Sequence, residues 1–136
     1  MDLSKELVDA ILNEDFDRTY SILEENYKNC KNEDYVESLI NFIMSHPDID
    51  YGMPGPVVHY IEKYPTDYYV VKLLKAIEQK PNDTLLWMLN RIVNDTYDEN
   101  KEKYISIFKN TIERKDIDDI TKEVAEKFYN YQKFGN

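Results

Sequence analysis

The sequence predicts an all-α protein of seven or eight short antiparallel helices, forming a single compact bundle or a stack of helical hairpins. Three observations carry that expectation. Large apolar residues recur at spacings of three and four along nearly the whole chain. Helix breakers are few, 3 Gly and 5 Pro, and most of them fall together between His46 and Pro56. Strand patterns are scarce: Tyr69-Val70-Val71 is β-favourable, but its surroundings keep the helical period.

The elements follow in order. Leu7, Val8, Ile11 and Leu12 form one stripe, with Ser4 placed to cap it and Asn13 to Asp15 to break it. Phe16, Tyr20, Leu23 and Tyr27 share one face of a second helix, which the polar run Asn29 to Asn32 turns. Val36, Leu39, Ile40, Ile43 and Met44 make the third stripe. A Pro/Gly corner at 46–56 follows, and Pro56 suits the first turn of a helix through Val57, Val58, Tyr60 and Ile61. Thr66 or Asp67 can cap the next helix, with Tyr69, Val70, Leu73, Leu74 and Ile77, which Pro81 ends. Asn82 or Asp83 can cap the most apolar helix, Leu85 to Val93, the expected centre of the core. A helix from about Asp98 carries Tyr104, Ile105, Phe108 and Ile112. The last carries Ile117, Ile120, Val124, Phe128 and Tyr131.

At 136 residues and 42% hydrophobic, the chain is one domain's worth with enough apolar surface for a core, so a single domain over 1–136 is expected. One cysteine, Cys30, excludes an intramolecular disulfide framework and a cysteine-rich zinc module, and reads as a passive free thiol. No apolar run approaches a membrane span, and the first residues lack a signal-peptide core, so the cytoplasm is the expected compartment.

The net charge of −10 repels phosphate backbones and anionic lipid, which disfavours nucleic-acid and membrane partners. The charge is also uneven. Residues 1–50 hold 13 acids and four bases, a balance of −9; residues 51–136 hold 14 acids and 13 bases, a balance of −1. Such an excess reads either as a solvated face that aids solubility or as a docking surface for a basic partner. Tyrosine is abundant at 12 residues and suits both interfaces and half-buried helical positions. Tyr20 and Tyr27 read as mainly structural, whereas Tyr35 and Tyr51, beside the acidic stretch, read as interface residues.

Catalytic signals are weak. His46, Asp48, Asp50 and His59 supply imidazole and carboxylate groups of the kind that bind metals, but their spacing fits no strong zinc pattern. The preferred reading has the His46 ring bonding the last carbonyls of a helix and Asp48 initiating a turn. The Met53-Pro54-Gly55-Pro56 run lacks the glycine spacing and lysine of a phosphate loop, and its prolines remove the N–H groups that a phosphate would need. No nucleophile elbow or triad is visible, and no cofactor is expected. Asn90 and Arg91 interrupt an apolar helix; they either satisfy a neighbouring helix end and a carboxylate or line a groove, and the former is preferred.

Two segments, Met53-Pro54-Gly55-Pro56-Val57-Val58-His59-Tyr60-Ile61-Glu62-Lys63-Tyr64 and Pro81-Asn82-Asp83-Thr84-Leu85-Leu86-Trp87-Met88-Leu89-Asn90-Arg91-Ile92-Val93-Asn94, cover about a fifth of the chain. Together, a Pro-Gly-Pro helix start and a Trp-Met-Leu-Asn-Arg helix resemble a family of small all-helical immunity proteins from bacterial polymorphic-toxin and contact-dependent growth inhibition systems. The resemblance implies a non-enzymatic antitoxin that binds a cognate toxin domain in the cytoplasm, with Pro54, Gly55, Pro56, Trp87, Asn90 and Arg91 as scaffold. Many toxin domains are nucleases with basic clefts, which an acidic partner complements. The expected contact is Glu33, Asp34, Tyr35 and Glu37, with Glu24, Asp17 and Tyr51 beside it. Two other readings are a helical protein–protein adaptor and a small metal-dependent hydrolase.

Overall fold

Short side chains at helix starts do much of the work of placing the elements. A computed structural model of the chain describes residues 2–29, 33–52 and 54–135, and only the backbone of Glu33. Cys30, most of the turn expected at Asn29 to Asn32, and Met53 lie outside the described residues. Among the described residues the protein is all-helical, with eight helices and no strand: α1 (Lys5–Leu12), α2 (Phe16–Asn29), α3 (Glu33–Ser45), α4 (Gly55–Glu62), α5 (Thr66–Gln79), α6 (Asp83–Asn94), α7 (Asn100–Ile112) and α8 (Asp119–Phe134).

Each start has a local cause. Ser4 Oγ accepts the Leu7 N–H at 3.2 Å and Asp15 Oδ1 accepts the Arg18 N–H at 3.2 Å, so orphan donors of α1 and α2 are satisfied. Asn82 Oδ1 accepts from Leu85 N at 3.0 Å to start α6, and Asp118 Oδ1 accepts from Thr121 N at 2.7 Å to start α8. Pro56 occupies the first turn of α4, and Gly135 ends α8 in the left-handed region.

The chain divides into two compact units, Met1–Lys72 and Leu73–Asn136, with the boundary inside α5. In the first, α1 packs on α2, and α2 and α3 pack on α4. Its core combines aliphatic residues such as Leu7, Leu39, Ile43 and Ile61 with a cluster of tyrosines. Tyr60, 1% exposed, donates from its hydroxyl to Asn26 Oδ1 at 2.6 Å and lies 3.0 Å from the Tyr64 hydroxyl. The rings of Tyr27, Tyr35 and Tyr60 meet edge to face at about 6 Å. In the second unit α6 packs on α7 and α8, which pack on each other. Here α6 is the centre that its composition predicts: Leu85, Leu86, Met88, Leu89, Ile92 and Val93 are all buried.

Two apolar stripes face differently from expectation. On α2 the buried residues are Thr19 and Leu23, while Phe16 and Tyr20 are exposed. Thr19 fits the tight face because its Oγ1 donates to the Asp15 carbonyl at 2.8 Å. On α8 the buried residues are Thr121 and Ala125, while Ile120 and Tyr131 are exposed. On α8 the buried side chains are small, whereas on α2 Thr19 shares the buried face with the large Leu23.

The Pro/Gly corner at 46–56 lies within the first unit and is held by polar contacts. The His46 ring stacks on Phe42 at 4.0 Å and its Nδ1 donates to the Phe42 carbonyl at 3.0 Å, the helix-ending role expected of it. The Asp50 N–H donates to Glu14 Oε2 at 2.8 Å, and Asp50 Oδ1 accepts the Gly52 N–H at 2.8 Å. Gly52 has φ +91°, and a Cβ there would sit 2.6 Å from the Gly55 Cα. Only glycine fits both the dihedral and the approach.

Candidate functional site

The acidic residues expected at a contact surface belong to α2 and α3 of the first unit. Successive helical residues turn by about 100°, so neighbours in sequence face different ways. That geometry separates the candidates. Asp17, Asp34 and Glu37 are exposed. Glu37 stands 3.9 Å from Lys72 Nζ, a loose surface pair. Glu24 is half-buried and held: its carboxylate accepts from Lys63 Nζ at 2.9 Å. That bond, aided by the charge of Lys63 and a bond from the Tyr20 hydroxyl, holds the Glu24 carboxyl below the usual range although burial opposes it. The side chain of Glu33 lies outside the described residues.

The two tyrosines expected at the surface are core residues. Tyr35 is 5% exposed and packs on Tyr60; Tyr51 is 3% exposed and donates to the His46 carbonyl at 2.8 Å. Tyr35 follows Asp34 in sequence, but one residue of helical turn carries it from the acidic surface to the buried face. Tyr51 is drawn in by the corner, whose geometry no periodicity reveals.

The aromatic surface of this unit is on α2 instead. Tyr20 is 53% and Phe16 40% exposed. They lie one turn apart, with Asp17 and Glu24 also one turn from Tyr20. The sequence signal that could have found them is the polar end of the tyrosine, which favours the rim of a packed face over its middle.

The motif residues sit at a helix start and along α6. Gly55 starts α4 at φ +75°. Asn90 is buried and its Oδ1 accepts from Gln132 Nε2 at 2.7 Å, a residue of α8 that also donates to Asn94 Oδ1 at 2.8 Å. Gln132 lies in the last turn of α8, so Asn90 is satisfied at a neighbouring helix end, by a side-chain amide there and not by the backbone. The Arg91 guanidinium lies 4.9 Å over the half-buried Trp87 ring.

Two concavities have defined linings. Beneath the corner, Ile11, Glu14, Phe16, Thr19, Asp50, Tyr51, Pro56 and Val57 line a half-open hollow of about 10 Å³, room for roughly one water. In the second unit, Leu74, Ile77, Glu78, Ile107, Asn110, Thr111 and Arg114 line an open groove of about 400 Å³. Arg114 is occupied there: it grips both oxygens of Asp116 at 2.9 and 2.7 Å, and donates to the Ile77 and Glu78 carbonyls at 3.2 and 2.9 Å. It thereby caps the C-terminus of α5 with a positive charge, the favourable sign for that end of the dipole. Among the described residues no three His, Cys, Asp or Glu side chains gather to share a metal ion, and no helix is long and apolar enough to cross a membrane.

No family model, curated protein or solved structure matches the chain.

Proposed function

We propose that this protein is a non-enzymatic immunity protein, an antitoxin that binds a basic, nuclease-like toxin domain in the cytoplasm and blocks it through the acidic face of its first unit. One observation carries the reading. Residues 1–50 hold a balance of −9, and Asp17, Asp34 and Glu37 from that stretch stand on the outside of packed helices. Folding does not need such an excess, since self-repulsion within a small unit opposes it. A basic partner would gain from it, because complementary potentials speed encounter and neutralise on contact. The Pro-Gly-Pro and Trp-Met-Leu-Asn-Arg resemblance supplies the biological setting.

The test is co-expression with the product of the adjacent upstream gene. The two proteins should co-purify and the neighbour's toxicity should fall. The triple substitution Asp17→Asn, Asp34→Asn, Glu37→Gln should weaken the complex at least tenfold while circular dichroism stays unchanged. An unaltered affinity would remove the acidic face from the contact. A neighbour that is neither toxic nor bound would remove the antitoxin reading.

A further inference from the structure

The exposed aromatics of α2 point to where the contact is centred and to what it takes hold of. Phe16 and Tyr20 present two large rings to solvent one helical turn apart, although Thr19 and Leu23 of the same helix are buried. Scattered exposed hydrophobics are ordinary, but this pair sits in the most acidic third of the chain. Asp17 is exposed one turn before Tyr20, and Glu24 lies one turn after it, tethered by Lys63. Tyr20 is therefore bordered by the exposed Asp17 carboxylate and by Glu24, whose charge Lys63 partly offsets.

That border selects the occupant. A nucleic acid or an anionic lipid surface is repelled, and so is a second copy of a chain at −10. A basic protein surface is attracted, and an aromatic ring beside carboxylates suits a guanidinium in particular. Arginine is planar and weakly hydrated, so it stacks on the ring while its edge bonds carboxylate oxygens; a lysine ammonium is compact and strongly hydrated. We infer that the Phe16–Tyr20 flank of α2 is the anchor of the docking surface, and that a partner arginine stacks on Tyr20 beside Asp17 and Glu24. The inference rests on the acidic-docking reading above and moves its centre from α3 to α2.

The probe is a fluorescent oligo-arginine peptide titrated into the full-length protein, beside an oligo-lysine peptide of equal length and charge. Oligo-arginine should bind the more tightly, and its amide shifts in a nuclear magnetic resonance titration should centre on residues 16–25. Tyr20→Ala should weaken oligo-arginine binding by roughly two- to fivefold, the range for a cation–π contact at an exposed site. Tyr20→Phe, which keeps the ring, should bind like the parent. Salt-sensitive binding of both peptides alike, untouched by Tyr20→Ala or shifted to residues 33–37, would overturn the α2 anchor and leave acidic docking standing. Binding of neither peptide would overturn acidic docking, and the anchor with it.

Discussion

The two units solve the same folding problem with very different charge balances. Met1–Lys72 carries fifteen acids against six bases, whereas Leu73–Asn136 carries twelve against eleven. The first buries tyrosines linked by hydroxyl bonds; the second buries the aliphatic face of α6. Both units hold tight ion pairs, Arg18–Asp9 at 3.0 Å and Lys63–Glu24 at 2.9 Å in the first, Arg114–Asp116 at 2.7 Å and Lys133–Glu102 at 2.9 Å in the second, but only in the first do the acids far outnumber the bases. Both are packed helices, so packing alone does not account for the charge excess of the first, which the proposed docking role would explain.

The largest expected effect tests the cores. Tyr60→Ala should destabilise by about 3–5 kcal/mol, because it opens a cavity and strips hydrogen-bond partners from Asn26 and Tyr64. Leu86→Ala in the second unit should cost about 2–5 kcal/mol from the cavity alone. Urea midpoints measure both. A Tyr60→Phe loss as large as that of Tyr60→Ala would show that the hydroxyl network, and not ring burial, dominates the first core.

Next comes the corner that only the first unit has. Gly52→Ala should cost more than about 1 kcal/mol in thermal unfolding, since the left-handed dihedral and the Gly55 backbone both oppose a side chain. Gly55→Ala has the dihedral but open space around it, and should cost less. Equal losses would mean that the close approach contributes nothing. Ser4→Ala should follow at about 1 kcal/mol, the ordinary range for a lost helix cap.

The smallest effect is in acid. The Asp118 carboxyl is held below its usual range by bonds from the Thr121 hydroxyl and N–H, and Asp116 likewise by Arg114. A carboxyl whose folded pKa is depressed stabilises the fold above its unfolded pKa and loses that contribution as pH falls through the folded value. The second unit should therefore lose stability below about pH 4. Asp118→Asn keeps a capping oxygen and should flatten that part of the profile, read as unfolding midpoint against pH. An unchanged slope would contradict the assignment.

The helices were largely legible in sequence because their boundaries are local: Ser4, Asn82 and Pro56 act where they stand. Facing was less legible. The apolar period marks a stripe by its large residues, yet α2 and α8 also bury Thr19, Thr121 and Ala125, which that period passes over. That choice put Tyr20 inside, and adjacency to acids put Tyr35 and Tyr51 outside; the packing reverses all three. His46 was read correctly since its role needs only its own helix end. Asn90 is satisfied at a neighbouring helix end as expected, but its partner Gln132, 42 residues away, could not be named from sequence.

The most direct test is the association rate of the protein with its basic partner across a series of salt concentrations. The rate should fall steeply as salt rises, with a shallower slope for the Asp17→Asn, Asp34→Asn, Glu37→Gln variant. A rate indifferent to salt, and equal for the two proteins, would contradict it.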